Sequence, residues 1–451
     1  MCIRDRDLTQ GSITGHLLTM AAPMAIGMLV QTLYFMVDLY FVSRLGGTAL
    51  AGVSAAGNFN LAVLALTQML GVGTVALISH AVGAKDREAA NLVFNQSLVL
   101  AAACGATALI GGFALAGPYM NSLGADAATV AAGTTYLYWY VPGLALQFAM
   151  IAMGSALRGT GIVKPTMLVQ LATVVVNIVL APVLIAGVGT GHPLGVAGAG
   201  LASTLAVAFG TLLLGYYYTR LEKYVSFHPD QWKPRMRTWK QILDIGLPAG
   251  GEFLLMFAYM AVIYLIIRGF GSSAQAGFGV GQRVMQAIFL PAMAIGFAIA
   301  PVAGQNFGAR DAARVRSTFR TAALLGSAVM MMLTLLCQWR GDRLVGAFTT
   351  DPEALAVGTG FLAVISWNFV CSGLVFTCSG MFQALGNTWP AIWSSATRLI
   401  TFVVPALWLS HQPGFHIEQV WHLSVVTVIL QALTSLWLLR GQFRRRLAFA
   451  D

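Results

Sequence analysis

Val82-Gly83-Ala84-Lys85-Asp86 returns as Phe307-Gly308-Ala309-Arg310-Asp311, a shift of 225 positions (308 − 83). The same shift holds on both sides of that stretch. Upstream, Pro23 meets Pro248, Gly46 meets Gly271, Ala51-Gly52 meets Ala276-Gly277, and Gly71 meets Gly296. Downstream, Asp126 meets Asp351, Gly133-Thr134 meets Gly358-Thr359, and Gly161 and Pro165 meet Gly386 and Pro390. The matches fall on glycines, prolines and loop charges, the residues that fix backbone geometry. A register held this long without a net gap is a duplication.

The repeated unit is apolar. Of 451 residues, 57% are hydrophobic and 9% charged, where soluble domains carry roughly a quarter charged. That excludes an ordinary soluble enzyme. Polar breaks separate twelve apolar runs long enough to cross a bilayer. The first six lie near 17–43, 52–80, 92–116, 127–153, 163–187 and 195–219. The second six lie near 242–267, 276–303, 318–338, 354–379, 388–410 and 420–440, and the ninth ends least clearly, at Arg340 and Arg343. The first run is too long for the core of a leader peptide, so it reads as a span. Met1–Arg6 reads as unrelated to the rest of the chain and carries no weight in the assignment.

Loop charges give the orientation. One set of alternate loops holds Lys85 and Arg87, Arg158 and Lys164, and Arg310, Arg314 and Arg316. To the same set belong Arg220, Lys223, Lys233, Arg235, Arg237 and Lys240, with Arg444–Arg446 in the tail. The opposite set holds Arg44, Arg268, Arg340 and Arg343. Both termini are therefore expected in the cytoplasm of a bacterial inner membrane. The net charge of +10 lies in these loops and marks topology, not nucleic-acid binding. The expected organisation is an N-terminal six-helix bundle at 12–219, a basic cytoplasmic linker at 220–241, a C-terminal bundle at 242–440 and a cytoplasmic tail at 441–451. Six spans per half is an even number, so the halves share one membrane orientation. Parallel repeats of this kind build transporters with a site between the halves near the midplane.

Enzymatic chemistry finds no support. There is no His-Glu-x-x-His, Gly-x-Ser-x-Gly or paired catalytic aspartates. The five cysteines, Cys2, Cys104, Cys337, Cys371 and Cys378, lack metal-knuckle spacing, and no metal or other cofactor is expected.

The major facilitator pattern Gly-x-x-x-Asp-Arg-x-Gly fails at Gly83-Ala84-Lys85-Asp86-Arg87-Glu88, where the Asp comes one place early and no Gly completes the motif. The chain instead resembles the multidrug and toxic-compound extrusion family, from about residue 12 to 445. The resemblance rests on Ala22-Pro23, on Val37-Asp38-Leu39-Tyr40-Phe41-Val42 before Leu45-Gly46, and on the paired loops at 82–86 and 304–310. Arg158-Gly159-Thr160-Gly161, Gln383–Thr388 and Gly195–Gly200 continue it in order. It implies an all-α membrane protein with two six-helix bundles set in a V around a central cleft. It also implies export of small, often cationic organic compounds in exchange for protons or sodium. The chain is expected to act as a monomer. A lipid-linked precursor flippase of the same superfamily is the alternative; such proteins often have extra spans and a strongly basic cleft.

Charges inside spans carry the site reading. Asp38 lies about five residues, roughly 8 Å, below the outer boundary of span one. It is either a coupling-ion carboxylate or a carboxyl reaching the outer interface. The family has an Asp here, and its site adds an Asn and a second Asp in span five and a hydroxyl in span six. Asn177 and Ser203 match the Asn and the hydroxyl, while Ala181 stands where the second Asp would be. One carboxylate can carry a proton, whereas sodium prefers several anionic oxygens, so the departure favours protons. Glu252 lies about ten residues, roughly 15 Å, into span seven, and Arg398 reaches the same depth in span eleven. The two are expected to pair, with Arg283 as an alternative partner, either as a structural ion pair or as a contact for cargo. Tyr34, Phe35, Met256, Phe257, Gln282 and Met285 are cleft candidates, since adaptable Met and flat aromatic faces suit varied ligands.

Overall fold

A computed structural model describes residues 7–123, 126–222 and 224–449. Met1–Arg6, Cys2 among them, and Lys223 lie outside the described residues, as do the side chains of Phe35 and Ser272. Among the described residues the regular structure is helical, and twelve spans are long and apolar enough to cross a membrane.

The first copy runs α1 (Ile13–Ser43), α2 (Gly47–Gly57), α3 (Phe59–Gly83), α4 (Arg87–Leu123), α5 (Ala127–Gly159), α6 (Lys164–Ala186) and α7 (Val196–Arg220). The second runs α8 (Met236–Ile267), α9 (Ser272–Gly308), α10 (Ala312–Gly346), α11 (Pro352–Ile365), α12 (Phe369–Ala384), α13 (Trp389–Ser410) and α14 (Ile417–Arg446). Helices α2 and α3 form one broken span, and so do α11 and α12. The backbone repeats the 225-residue shift in its exceptions. Lys85 and Arg310 both hold positive φ, at 60° and 58°. The pairs Gly46 and Gly271, Gly161 and Gly386, and Gly189 and Gly414 do the same. Asp86 and Asp311 each accept the backbone N–H three residues on, at 2.9 Å. Asp126 and Asp351 each cap the next helix. At Asp126 the bonds from Thr129 hold the exposed carboxyl below its usual range.

The helices outrun the apolar runs that announce them. Span three begins at Arg87 and span twelve ends at Arg446, so residues 441–446 of the expected tail are helical. Apolar run length measures the hydrocarbon thickness, whereas a helix continues into the interface on side chains that reach water. The uncertain end of span nine is a kink: Arg340 has φ −137° inside α10, and the helix resumes to Gly346.

The chain divides into two compact units. One holds residues 26–246; the other holds 7–25 with 247 onward. In the first unit α5 packs against α2, α3, α4 and α7, around a core that includes Leu70, Tyr136, Phe148 and Ile185. The segment expected as a free linker is docked there. Asn95 Oδ1 accepts from His228 N at 2.9 Å and Trp232 Nε1 at 3.0 Å, and Gln96 Oε1 accepts from Arg235 N at 2.8 Å. In the second unit α9 packs against α10, α11 and α12, around Phe278, Phe361, Phe402 and Trp421. The N-terminal segment is docked on that unit in its turn, with Leu8 N donating to Gln305 Oε1 at 3.0 Å and Arg314 Nη1 to Gly11 O at 3.2 Å.

Candidate functional site

The first unit holds a buried polar cluster. Asp38 comes from α1, Asn177 from α6 and Ser203 from α7, and all three are buried. Asn177 Nδ2 donates to Ser203 Oγ and to Tyr34 Oη, both at the long distance of 3.5 Å. Tyr136 Oη donates to Asp38 Oδ2 at 3.4 Å. Asp38 Oδ1 and Asn177 Oδ1 are buried without a hydrogen-bond partner. Buried polar atoms are almost always paired, so the orphaned acceptor oxygens of Asp38 and Asn177 are exceptions in this unit. Ala181, one helical turn beyond Asn177 and on the same face, is fully buried among apolar neighbours.

This cluster redistributes the residues expected from sequence. Tyr34, expected on the cleft, belongs to the Asp38 cluster. Tyr136 and Tyr140 were missed; their rings lie 5.2 Å apart on one face of α5, and both are buried. The signal was available in the repeat. The positions 225 residues on are Phe361 and Ile365, so both hydroxyls exist in only one copy.

The second unit holds a cavity of about 760 Å³, within the range of drug-sized sites. Glu252, Arg283, Arg398, Met256, Phe257, Gln282 and Met285 all line it. The expected ion pair between Glu252 and Arg398 is not formed, and Arg283 does not replace Arg398 in it. Glu252 Oε2 accepts from Ser379 Oγ at 2.9 Å. The Arg398 guanidinium lies over the Tyr259 ring, 4.1 Å from its centroid. The helices explain the separation. Glu252 reaches across to Ser379 of α12, whereas the Arg398 guanidinium of α13 lies on Tyr259. Tyr259 is fixed by a 2.7 Å bond between its hydroxyl and Ser424 Oγ, and by Phe402 packed edge-on at 4.8 Å. Among the described residues no group of three or more His, Cys, Asp or Glu could hold a metal.

Comparison with known proteins agrees with both the repeat and the fold. The MatE family model matches twice, at residues 23–183 and 248–408, two blocks offset by the same 225 positions. The probable multidrug resistance protein YpnP of Bacillus subtilis is 28% identical, over 84% of this chain and 86% of its own. The multidrug export protein MepA of Staphylococcus saprophyticus is 24% identical, over 96% of this chain and 95% of its own. A crystal structure of MATE in the bent conformation superposes with TM-score 0.93 at 24% identity, over 99% of each chain; that likeness bears on the fold. A duplicated set of twelve spans, with the family model matching once in each copy, makes this chain a member of the multidrug and toxic-compound extrusion (MATE) family, multi-pass membrane transporters that export small organic compounds and are not enzymes.

Proposed function

We propose that the protein is a secondary-active antiporter of a bacterial inner membrane. It exports amphipathic organic compounds through the second-unit cavity against protons that load Asp38. The observation that carries the coupling is the lone carboxylate. Asp38 is buried with one oxygen unpartnered, and its other oxygen accepts from the Tyr136 hydroxyl. A buried carboxylate without a counter-charge is costly, so a proton or a metal cation has to cancel its charge. Ala181 supplies no second anionic oxygen, which favours the proton over sodium. Cationic cargo, implied by the family, would meet one carboxylate on the cavity wall, Glu252, and that carboxylate already accepts the Ser379 hydroxyl. The chain acts as a monomer, with its termini and the 220–241 segment in the cytoplasm.

Proteoliposomes with imposed gradients test this reading. Efflux is expected on a pH gradient without sodium, and Ala181→Asp should add sodium dependence. Efflux that runs on sodium alone refutes the proton assignment. Orientation is tested with a single cysteine at position 231 in a variant lacking the native cysteines. Labelling by an impermeant thiol reagent in intact cells reverses the topology.

A further inference from the structure

The charged side chains on the cavity wall of the second unit are Glu252, Arg283 and Arg398. Two are cationic and one is anionic, and the anion does not neutralise either cation. Glu252 is engaged by Ser379. Arg398 has the Tyr259 face beneath it, and its Nε is buried without a hydrogen-bond partner. An aromatic face attracts a guanidinium but takes none of its N–H hydrogen bonds in the plane. Arg283 is exposed on the same wall. No described carboxylate pairs with either arginine.

The rest of the wall mixes methionines with accessible aromatic rings. Phe257, Phe289 and Phe376 are half-buried there, and Phe289 meets Phe376 edge-on at 6.1 Å. Asn368, also on the wall, keeps its buried Oδ1 unpartnered. A planar, always-charged guanidinium is the side chain best matched to a carboxylate or phosphate, which it binds through two parallel hydrogen bonds. Desolvated inside an apolar cavity, such a bond is stronger than in water.

We propose that this cavity selects aromatic compounds bearing an anionic group, a carboxylate or a phosphate, which docks on Arg398 while the ring system packs against Phe257, Phe289 and Phe376. The inference rests on this cavity being the cargo site, and it narrows the cargo class. Tyr259 is a positioning residue: it holds the guanidinium over its ring, with its own hydroxyl anchored by Ser424. Arg283 adds a second positive charge that draws anions toward the wall. Glu252, tied to Ser379, is one negative charge against two positive ones and leaves the net field positive.

The test is equilibrium dialysis of one ring system with four head groups against the purified full chain in detergent micelles, with empty micelles as blank. The probes are 2-naphthylacetate, 2-naphthyl phosphate, 2-(2-naphthyl)ethanol and 2-(2-naphthyl)ethylammonium. No ion gradient is present, so the outcome does not depend on whether protons drive transport. One anion is expected to bind at least roughly tenfold more tightly than the alcohol and the ammonium, the weight of one charge-assisted pair. Which anion wins separates a carboxylate cargo from a phosphate cargo. Arg398→Gln should remove the preference, and Arg398→Lys should retain part of it. Tighter binding of the ammonium by the unaltered protein overturns the proposal, whatever the variants do. So does an Arg398→Gln protein that elutes as a single species and keeps the preference for anions.

Discussion

The Asp38 cluster of the first unit and its counterpart in the second occupy the same positions in the repeat, yet they differ in every polar group but one. Shifted by 225 residues, Asp38 becomes Ile263, Asn177 becomes Phe402, Ser203 becomes Val428 and Tyr136 becomes Phe361; only Tyr34 keeps its type, as Tyr259. Four of these five, Ile263, Phe402, Phe361 and Tyr259, lie in the buried core of the second unit. The reverse holds for the cavity charges. Glu252 corresponds to Gly27, Arg398 to Thr173, Ser379 to Gly154 and Ser395 to Gln170. Duplication copied a scaffold, and divergence then put ionisable groups at different places on each copy. A polar cluster buried in a span destabilises the fold unless it serves a purpose. The second unit fills most of the space matching the Asp38 cluster with hydrocarbon, whereas the first unit sets Gly27, Gly154, Thr173 and Gln170 opposite the cavity groups and so carries no charge there. On our reading the first unit handles the driving ion and the second the cargo.

The largest expected effect separates those roles. Asp38→Asn should bring export down to the level of empty liposomes while the protein still inserts and elutes as a single species. Glu252→Gln should change cargo KM and leave the protons exchanged per cargo unchanged. Full export by the Asp38→Asn protein would falsify the division of labour, because Asn preserves shape and removes only the titrating oxygen.

Next comes packing at the start of α8. A Cβ on Gly73 would sit on the carbonyl oxygen of Ile242, and one on Gly246 on that of Met69. The repeat partners of these glycines are Ala298 and Ala21, both buried. The first unit thus allows a closer helix approach than the second. Gly73→Ala should destabilise the protein by about 1–3 kcal/mol through overpacking. Ala298→Gly should cost about 1 kcal/mol, as a mid-helix glycine does. Thermal unfolding in micelles reads both, and equal losses would remove the asymmetry.

A smaller effect concerns the cavity charges. With Glu252 on Ser379 and Arg398 on Tyr259, Glu252→Gln and Arg398→Gln should act independently. Their combined change in stability should equal the sum of the single changes to within about 0.5 kcal/mol. A coupling well beyond that would mean that the two pair in a state other than the one described. The smallest effect should be the same in both units. Lys85 and Arg310 both hold the left-handed conformation that a side chain resists. Lys85→Gly and Arg310→Gly should each raise stability by a similar amount, on the order of 0.5 kcal/mol, after the added freedom of the unfolded chain is subtracted. A gain at one site only would show that the two turns bear different loads.

Sequence by itself determined the duplication, the twelve spans and the candidate carboxylate in span one. Backbone geometry at Gly46, Lys85, Gly161 and their partners is written in local chemistry, and hydrocarbon thickness sets the length of every apolar run. Tertiary structure decided what each buried group touches. Rotation about a helix axis is invisible in an apolar run that is hydrophobic all round. Tyr34 therefore read as a cleft residue when it joins the Asp38 cluster, and Tyr136 and Tyr140 went unread as part of that cluster. Depth alone put Glu252 and Arg398 together. A pairing also needs the side chains to leave their helices toward one another, and here one reaches Ser379 and the other Tyr259. Run length and depth are properties of one helix, but a hydrogen bond between spans needs the angle between two, and that is fixed only by packing.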